Sequence, residues 1–561
     1  MPQNRAPFET VADAYLALLK SRGVDWLFAN AGTDFAPIIE AMVRGRTSGL
    51  AMPEAVAIAH ETTAVAMAHG YTLMTGRPQA IMVHVNVGLA NALMGVINAS
   101  RDCVPMLVTS GRTPLTEHGM LGSRDLPIHW GQEMFDQTGI VREAVKWDYE
   151  LRTPVQLEAV VDRALSIATT QPGGPVYLSL PREVLAERWP RSAMSPTATL
   201  HPPRLPMPDP DTTTAAAQIL SEAKNPIAIV GRGGPDVFEP LARLAEQLAM
   251  PVVHFWSNRL ALASTHPMHA GFDVGPLIET ADAILTLDAP VPWLPVRHRL
   301  RKECRVISVG PDPTFAQLPM RTFPADVLIP ATTASAVDAI SALITPVSDA
   351  RRSSVSDALR AIRRARREEA SRHPAVCTNA FVSRCLDDVK GNDAIIFNEL
   401  GCDPGVMTFE QSDSYFGHPI AGGLGWGVGA ALGAKLAAPD RLVIACVGDG
   451  SYMFANPVAC HQTAEALDLP ILTVVFNNEV WNAVRKSTRS VYPDGHAAAV
   501  NDMPLSSLAP SPAFEKVIEA SGGLGIRVDD PSKLAPALGQ AVKAVSNGQQ
   551  ALLNVHCAIG S

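Results

Sequence analysis

The sequence predicts an α/β protein of three consecutive parallel-sheet α/β domains. Short apolar runs alternate with helix-length segments along the whole chain, the pattern of strands covered by helices on both faces. Two seams break that alternation, one rich in Pro, Ser and Thr and one rich in Arg. With 561 residues the chain has room for about three or four ordinary domains.

The first domain is expected over residues 1–187, with a helix at 11–22 and strands at 26–28, 80–85, 106–109 and 176–180. Residues 188–210 read as a crossing linker. The central domain is expected over 211–344, with strands at 227–230, 252–255, 283–287 and 306–309. Residues 348–374 read as a charged helical connector, and the Arg-rich stretch 360–367 as a solvated helix face. The third domain is expected over 375–561, with strands at 394–397, 441–447 and 471–476 and a helix at 456–467. The three blocks resemble one another in architecture and not as a short-period repeat.

Composition narrows the function. The formal net charge is −9 with His neutral, and no basic run of nucleic-acid type stands out, so no nucleic-acid partner is expected. No apolar run approaches the roughly 18 residues of a membrane span. The polar N-terminus does not read as a signal peptide. Eight scattered Cys, none in a CxxC pair, suggest reduced thiols and a cytoplasmic protein.

The most specific motif is Gly448-Asp449-Gly450-Ser451, which ends the apolar run 441–447, paired with Asn477-Asn478, which ends the run 471–476. A βαβ unit thus carries a carboxylate and a carboxamide at the C-terminal ends of two strands, the edge where open α/β sheets bind ligands. Such oxygens suit Mg²⁺, which takes its remaining ligands from phosphate and water. Gly450 and Ser451 can offer N–H groups to the same phosphate at a helix start. The pair resembles the cofactor motif of thiamine diphosphate (ThDP) enzymes of the acetolactate synthase, benzoylformate decarboxylase and 2-hydroxyacyl-CoA lyase group. That resemblance implies the ThDP-binding fold, with pyrimidine-binding, central and diphosphate-binding domains. It makes Asp449, Asn478 and the Val480 carbonyl the Mg²⁺ ligands. The interval from Asp449 to Asn478 is about two residues longer than in the family, with the extra length near residues 454–457.

His60-Glu61 opens a segment dense in small residues that runs to Gly70-Tyr71. A carboxylate on a helix apolar almost all round needs a partner. The segment looks like the family stretch whose Glu hydrogen-bonds N1′ of the ThDP aminopyrimidine, which places Glu61 in that role; Glu54 is the rival at the wrong spacing. A carboxyl sharing a proton with N1′ favours the 4′-imino tautomer, whose nitrogen then takes the C2 proton. Ala421-Gly422-Gly423-Leu424-Gly425 resembles the segment whose bulky residue, here Leu424, props the cofactor into a V and whose carbonyl, here at Gly422, accepts from the 4′-amino group. Gly401 and Cys402 match the loop that touches the diphosphate. In the family the activating Glu and the metal motif come from two subunits, which implies a homodimer or homotetramer.

The substrate residues rest on the same resemblance. Thr33, in Phe28-Ala-Asn-Ala-Gly-Thr33, falls where benzoylformate decarboxylase has a substrate-contacting Ser, and His84 falls on its catalytic His. The second catalytic His has no clear counterpart; His418 could substitute, but reads as a surface-loop residue. Trp481 either lines the pocket or packs in the core. Gly231-Arg232-Gly233-Gly234 is no GxGxxG, so neither a flavin nor a nicotinamide fingerprint is found. The sequence therefore implies a ThDP- and Mg²⁺-dependent 2-oxo acid decarboxylase or carboligase acting on a small 2-oxo acid, 2-hydroxy ketone or aldehyde. The alternatives are an acetolactate synthase-like transferase without FAD and a non-catalytic regulatory protein of the same fold.

Overall fold

The computed structural model describes residues 8–190, 194–195 and 197–560. Three wholly parallel sheets follow one another, as the sequence predicts. The first contains β1 (Trp26–Ala29), β2 (Glu54–Ala57), β3 (Ala80–Val83), β4 (Met106–Arg112), β5 (Asp148–Glu150) and β6 (Pro175–Pro181), in spatial order β2-β1-β3-β4-β6-β5. The second contains β7 (Pro226–Val230), β8 (Val252–Val253), β9 (Ala283–Leu287), β10 (Arg305–Gly310) and β11 (Val327–Pro330), in order β11-β10-β9-β7-β8. The third contains β12 (Ile395–Glu399), β13 (Tyr415–Gly417), β14 (Val443–Gly448), β15 (Leu472–Asn477), β16 (Leu524–Val528) and β17 (Ala551–His556), in order β13-β12-β14-β15-β17-β16. Strands such as β12 and β15 are buried at every position, which is why they read as continuous apolar runs and not as alternating ones.

The first and third sheets share one strand order. In each, the order reverses between the first and third strands in sequence, and such a switch point leaves a crevice at the C-terminal strand ends. In the first sheet β1 and β3 run out there, toward Thr33 and His84. In the third sheet β12 and β14 run out there, toward Gly401-Cys402 and Asp449.

By contacts the chain divides into two units. One holds the residues up to Arg204 together with Pro419–Pro439 and Phe454–Leu469; the other holds Leu205–His418, Asp440–Met453 and the chain from Pro470 onward. The first unit thus takes in two segments that sequence order assigns to the third domain. The cause lies in small residues. The helix Glu61–Thr75, buried from Glu61 to Thr72, packs against the helix Gly427–Ala437, buried from Gly427 to Lys435. A Cβ at Gly70 would collide with the backbone carbonyl of Ala430, and a Cβ at Gly433 with that of Met67. The two backbones touch because neither carries a side chain at those points.

Three sequence expectations are corrected. The strand expected over 80–85 ends at Val83, because His84 stands at the N-cap of the helix Val85–Arg101. The strand expected over 252–255 ends at Val253. The helix face expected to be solvated is so only in part: Arg360 and Arg364 are exposed, but Arg363 donates to the His269 carbonyl, Arg366 pairs with Asp403, and Arg367 pairs with Asp387 at 2.9 Å, all within the second unit. In the linker, residues 191–193 and 196 lie outside the described residues.

The Gly contacts predict opposite signs for one substitution. Gly→Ala inside a helix gains about 0.5–1 kcal/mol where space is open, whereas overpacking costs about 1–3 kcal/mol. Gly539, in the helix Leu534–Ser546, has nothing within 4 Å of a built Cβ, whereas Gly70 faces immovable backbone. Gly539→Ala should raise the thermal unfolding midpoint slightly, and Gly70→Ala should lower it by several degrees.

Candidate active site

In the first unit, His60 caps the helix that Glu61 opens, accepting the Thr62 N–H on Nδ1 at 3.2 Å. The Asn456 amide lies 3.3 Å from the same nitrogen. Glu61 is only 7 % exposed, and its Oε2 accepts from Asn91 Nδ2 at 3.2 Å. A Cβ at Gly88 would stand 3.1 Å from Glu61 Oε1, so the glycine leaves room around the carboxylate. His60 Nδ1 lies 4.0 Å from Oε2, and Glu61 is close enough to His84 for its charge to act on that imidazole.

His84 leaves the end of β3 with its ring fixed at both nitrogens. Nδ1 lies 2.6 Å from Oδ1 of Asp34, itself 2 % exposed, and Nε2 lies 3.2 Å from the Gln132 amide. Asp34 Oδ2 also accepts the Val85 N–H at 3.2 Å, and Val85 has φ 33°, a strained value for a β-branched residue. The hydrogen bond to Asp34 raises the His84 pKa against the opposing effect of burial, and the charges of Asp34 and Glu61 add to the rise. Gln132 Oε1 is buried and has no hydrogen-bond partner. Turning that amide over would let it accept from a protonated Nε2, and the two amide orientations differ only by assignment.

Thr33 lies on the short 3₁₀ turn Thr33–Phe35, with Oγ1 3.5 Å from Nε2 of His129. His129 Nδ1 accepts from the Asp125 and Leu126 N–H groups, which leaves the proton on Nε2, facing Thr33. Burial, then the Arg182 charge, lowers the His129 pKa. A second imidazole therefore stands beside Thr33, one that sequence reasoning did not find. His129 and Gln132 follow an irregular stretch after β4 that no periodicity flags.

The Gly422–Leu424 turn is anchored in the same unit. Asn98, fully buried, donates to the Gly423 carbonyl at 2.8 Å and accepts the Gly423 N–H at 3.1 Å. Gly422 is exposed with φ 70°, and Leu424 is half-buried.

In the second unit, Asp449 is 5 % exposed and stands at the end of β14. Its carboxylate accepts the Gly450 N–H at 2.8 Å and the Glu479 N–H at 2.7 Å. Burial raises its pKa, and those backbone donors only partly offset the rise. A buried carboxylate served by backbone donors alone fits a site that receives a cation. Asn478 Oδ1 accepts the Val480 N–H at 3.1 Å, and the Val480 carbonyl accepts from Asn482 N–H at 2.8 Å, with a second lone pair left over. Among the described residues no cluster of three His, Cys, Asp or Glu could hold a metal, so any cation here would rely on Asn and carbonyl oxygens beside Asp449. Between Asp449 and Asn478 the chain turns after Phe454, where Asn456 adopts φ 53°, and β14 and β15 pair in register.

Gly448 is half-buried and Ser451 is 3 % exposed. Trp481 lies against Gly450, where any Cβ would strike its ring. A cleft of about 360 Å³ opens nearby, lined among others by Asn398, Gly401, Cys402, Trp256 and His418. The Gly401 and Cys402 N–H groups both donate to Asn398 Oδ1, at 3.1 and 2.9 Å. His418 is half-buried and not the surface residue expected from sequence: its ring meets that of Trp256 edge-on at 4.9 Å, and burial lowers its pKa to about 4.

A titration checks the first-unit dyad. Asp34→Asn should move the His84 midpoint down, read by NMR of the imidazole. Because the folded pKa is raised, the stability gained from protonated His84 is complete below its unfolded value of about 6.5 and is lost as pH rises through the folded value. The thermal stability gap between wild type and Asp34→Asn should therefore narrow with rising pH.

Comparison with known proteins identifies the family. Family models of thiamine pyrophosphate enzymes match residues 9–140 (N-terminal TPP binding domain), 213–340 (central domain) and 400–555 (C-terminal TPP binding domain). The chain is 24 % identical to acetolactate synthase isozyme 3 large subunit of Escherichia coli, over 97 % of this chain and 94 % of that protein. It is 26 % identical to benzoylformate decarboxylase of Pseudomonas aeruginosa, over 85 % and 87 %. Its fold resembles that of a 4-hydroxybenzoylformate decarboxylase from Rhodococcus jostii, with TM-score 0.75, 23 % identity, and 98 % and 99 % of the two chains covered. A benzoylformate decarboxylase from Polynucleobacter necessarius gives TM-score 0.78 at 21 % identity, over 98 % and 99 %. No helix among the described residues is long and apolar enough to cross a membrane. With all three of its sheets matched, the chain belongs to the thiamine pyrophosphate enzyme family and is a ThDP-dependent enzyme.

Proposed function

We propose that this enzyme cleaves or forms a C–C bond next to a carbonyl, as a 2-oxo acid decarboxylase or aldehyde carboligase of the benzoylformate decarboxylase kind, with Mg²⁺ beside ThDP. The observation that carries the reading is the His84–Asp34 pair, held at the switch point of the first sheet with Thr33 and His129 beside it. When bound, ThDP supplies the C2 nucleophile and the electron sink. Glu61 shares a proton with N1′ of the aminopyrimidine. His84, oriented through Nδ1 by Asp34, gives and takes a proton at Nε2 after C–C cleavage. Thr33 Oγ1 positions the substrate carbonyl or carboxylate. Gly422 and Leu424 present carbonyl and side chain to the aminopyrimidine side. Asp449, Asn478 and the Val480 carbonyl would hold Mg²⁺, and Gly448, Gly450 and Ser451 would border the diphosphate; Gly401 and Cys402, at the end of the neighbouring strand, would touch it, with their N–H groups turned to Asn398. The family arrangement supports a homodimer or homotetramer.

A second reading is acetolactate synthase-like transfer between 2-oxo acids, favoured by the nearly full-length match to the Escherichia coli synthase subunit. A screen of 2-oxo acids with and without an acceptor aldehyde separates the two, with CO₂ and ketol read independently. Release of CO₂ with aldehyde product supports the first reading; ketol from two 2-oxo acids alone supports the second.

Four variants test the assignment of residues. Asp449→Ala and Asn478→Ala should abolish Mg²⁺-dependent ThDP binding, followed by circular dichroism; unchanged affinity in both would remove the metal set. Glu61→Gln should still bind ThDP, while C2–H/D exchange slows by about 10²–10⁴-fold. His84→Ala should lower kcat far more than ThDP affinity, since the lost interaction belongs to the transition state; unaffected turnover would make His84 structural.

A further inference from the structure

The Arg-rich helix Asp349–Ala370 carries charge that the ThDP chemistry does not use. Arg360, Arg363, Arg364 and Arg367 recur at i, i+3, i+4 and i+7, which puts them on one face. That face forms one wall of a cleft of about 590 Å³ in the second unit. Ser264 and His269 come from the segment after β8, and Gly405 and Thr408 from the turn after β12. The volume falls within the range of small-molecule sites, about 300–1,000 Å³.

The charges of the cleft are unevenly balanced. Arg364 pairs with Glu368 at 2.6 Å, Arg360 with Asp357 at 3.3 Å, and Arg367 with Asp387 at 2.9 Å. Arg363 has no carboxylate partner among the described residues; it is half-buried, and its guanidinium donates to the His269 carbonyl. His269 is 2 % exposed, and its Nε2 is buried without a hydrogen-bond partner. Ser264 Oγ accepts the Phe409 N–H at 2.7 Å, which leaves its O–H free to donate. Burial and the neighbouring Arg360 charge lower the Arg363 pKa, so the cation stands in an unfavourable field. A partly desolvated, uncompensated guanidinium gains most from an incoming anion.

We propose that this cleft is a binding site for a phosphorylated small molecule, with Arg363 as the principal phosphate anchor and Arg360 and Arg364 at its rim. Guanidinium forks match phosphate oxygens in bidentate geometry, and several on one helix face suit a multiply charged group. The Ser264 hydroxyl is placed to donate to the same anion. The proposal is independent of which carbonyl substrate the enzyme takes.

The test uses the full-length enzyme saturated with ThDP and Mg²⁺, so that the diphosphate site is filled. ADP, inorganic phosphate and adenosine are titrated separately by calorimetry. ADP should bind at one site per chain, more weakly as salt rises, and adenosine should not bind. Comparable binding of inorganic phosphate would identify free phosphate as an adequate ligand; tighter binding of ADP would identify a phosphate ester. Arg363→Glu should weaken ADP by about tenfold or more, the loss of one charge-assisted pair. Arg363→Lys, which keeps the charge and loses the fork, should fall between, and it serves as the decisive variant if Arg363→Glu fails to fold. Arg527→Glu, the same charge change at an exposed site, should leave ADP affinity unaltered. ADP affinity unchanged in Arg363→Glu and Arg363→Lys, equal binding of adenosine, or no binding of either phosphate probe would overturn the proposal.

Discussion

The close approach of two small-residue helices is the constraint on which the first unit depends. Glu61–Thr75 and Gly427–Ala437 meet backbone to backbone at Gly70 and Gly433, with no side chain between them. Contact of that kind tolerates almost no added volume and fixes both helices to within a few tenths of an ångström. The N-terminal end of the first helix carries Glu61, and the turn that precedes the second carries Gly422 and Leu424. Asn98 ties that turn to a third helix, Val85–Arg101, whose N-cap is His84. The proposed activating carboxylate, the proposed cofactor prop and the proposed proton donor are therefore positioned by one packed layer of helices.

Topology does the remaining positioning. The same strand order in the first and third sheets yields two switch points, and each delivers chemistry-bearing residues at adjacent strand ends. Much of this is legible in the sequence because parallel strands buried on both faces read as unbroken apolar runs. Several strands not read from it, Glu54–Ala57, Asp148–Glu150, Val327–Pro330 and Tyr415–Gly417, are short and lie at sheet edges; Ala551–His556, also not read, is an interior strand. Strand ends are less legible where a side chain takes over from the ladder. His84 stops β3 because Asp34 takes the Val85 N–H into a helix start, and that contact spans 51 positions of chain.

The site residues divide in the same way. Glu61, Asp449 and Asn478 sit in local motifs whose spacing is visible, and the structure places each at an element end. His129, Gln132, Asp34 and Asn98 have no local signature, since each matters through a partner distant in sequence. His418 and Arg363 escape the sequence reading for a related reason: a charged or titratable residue on a loop or helix reads as solvated until its neighbours are known. Trp256 covers the first, and the segment 264–271 approaches the second.

Buried carboxylates show how one residue type is given different tasks by its partners. Asp34 spends both oxygens inside the protein, on an imidazole and a backbone N–H, and so acts through His84. Asp449 is served by backbone donors alone, and burial pushes its pKa up, an environment that fits the proposed Mg²⁺ role. Glu61 has one amide donor on Oε2, and Gly88 keeps space beside Oε1, which leaves an oxygen for an external nitrogen. The proposed roles follow from these environments: the His84 imidazole, oriented by Asp34 and Gln132, for protons, one carboxylate for Mg²⁺, and a second carboxylate for the aminopyrimidine.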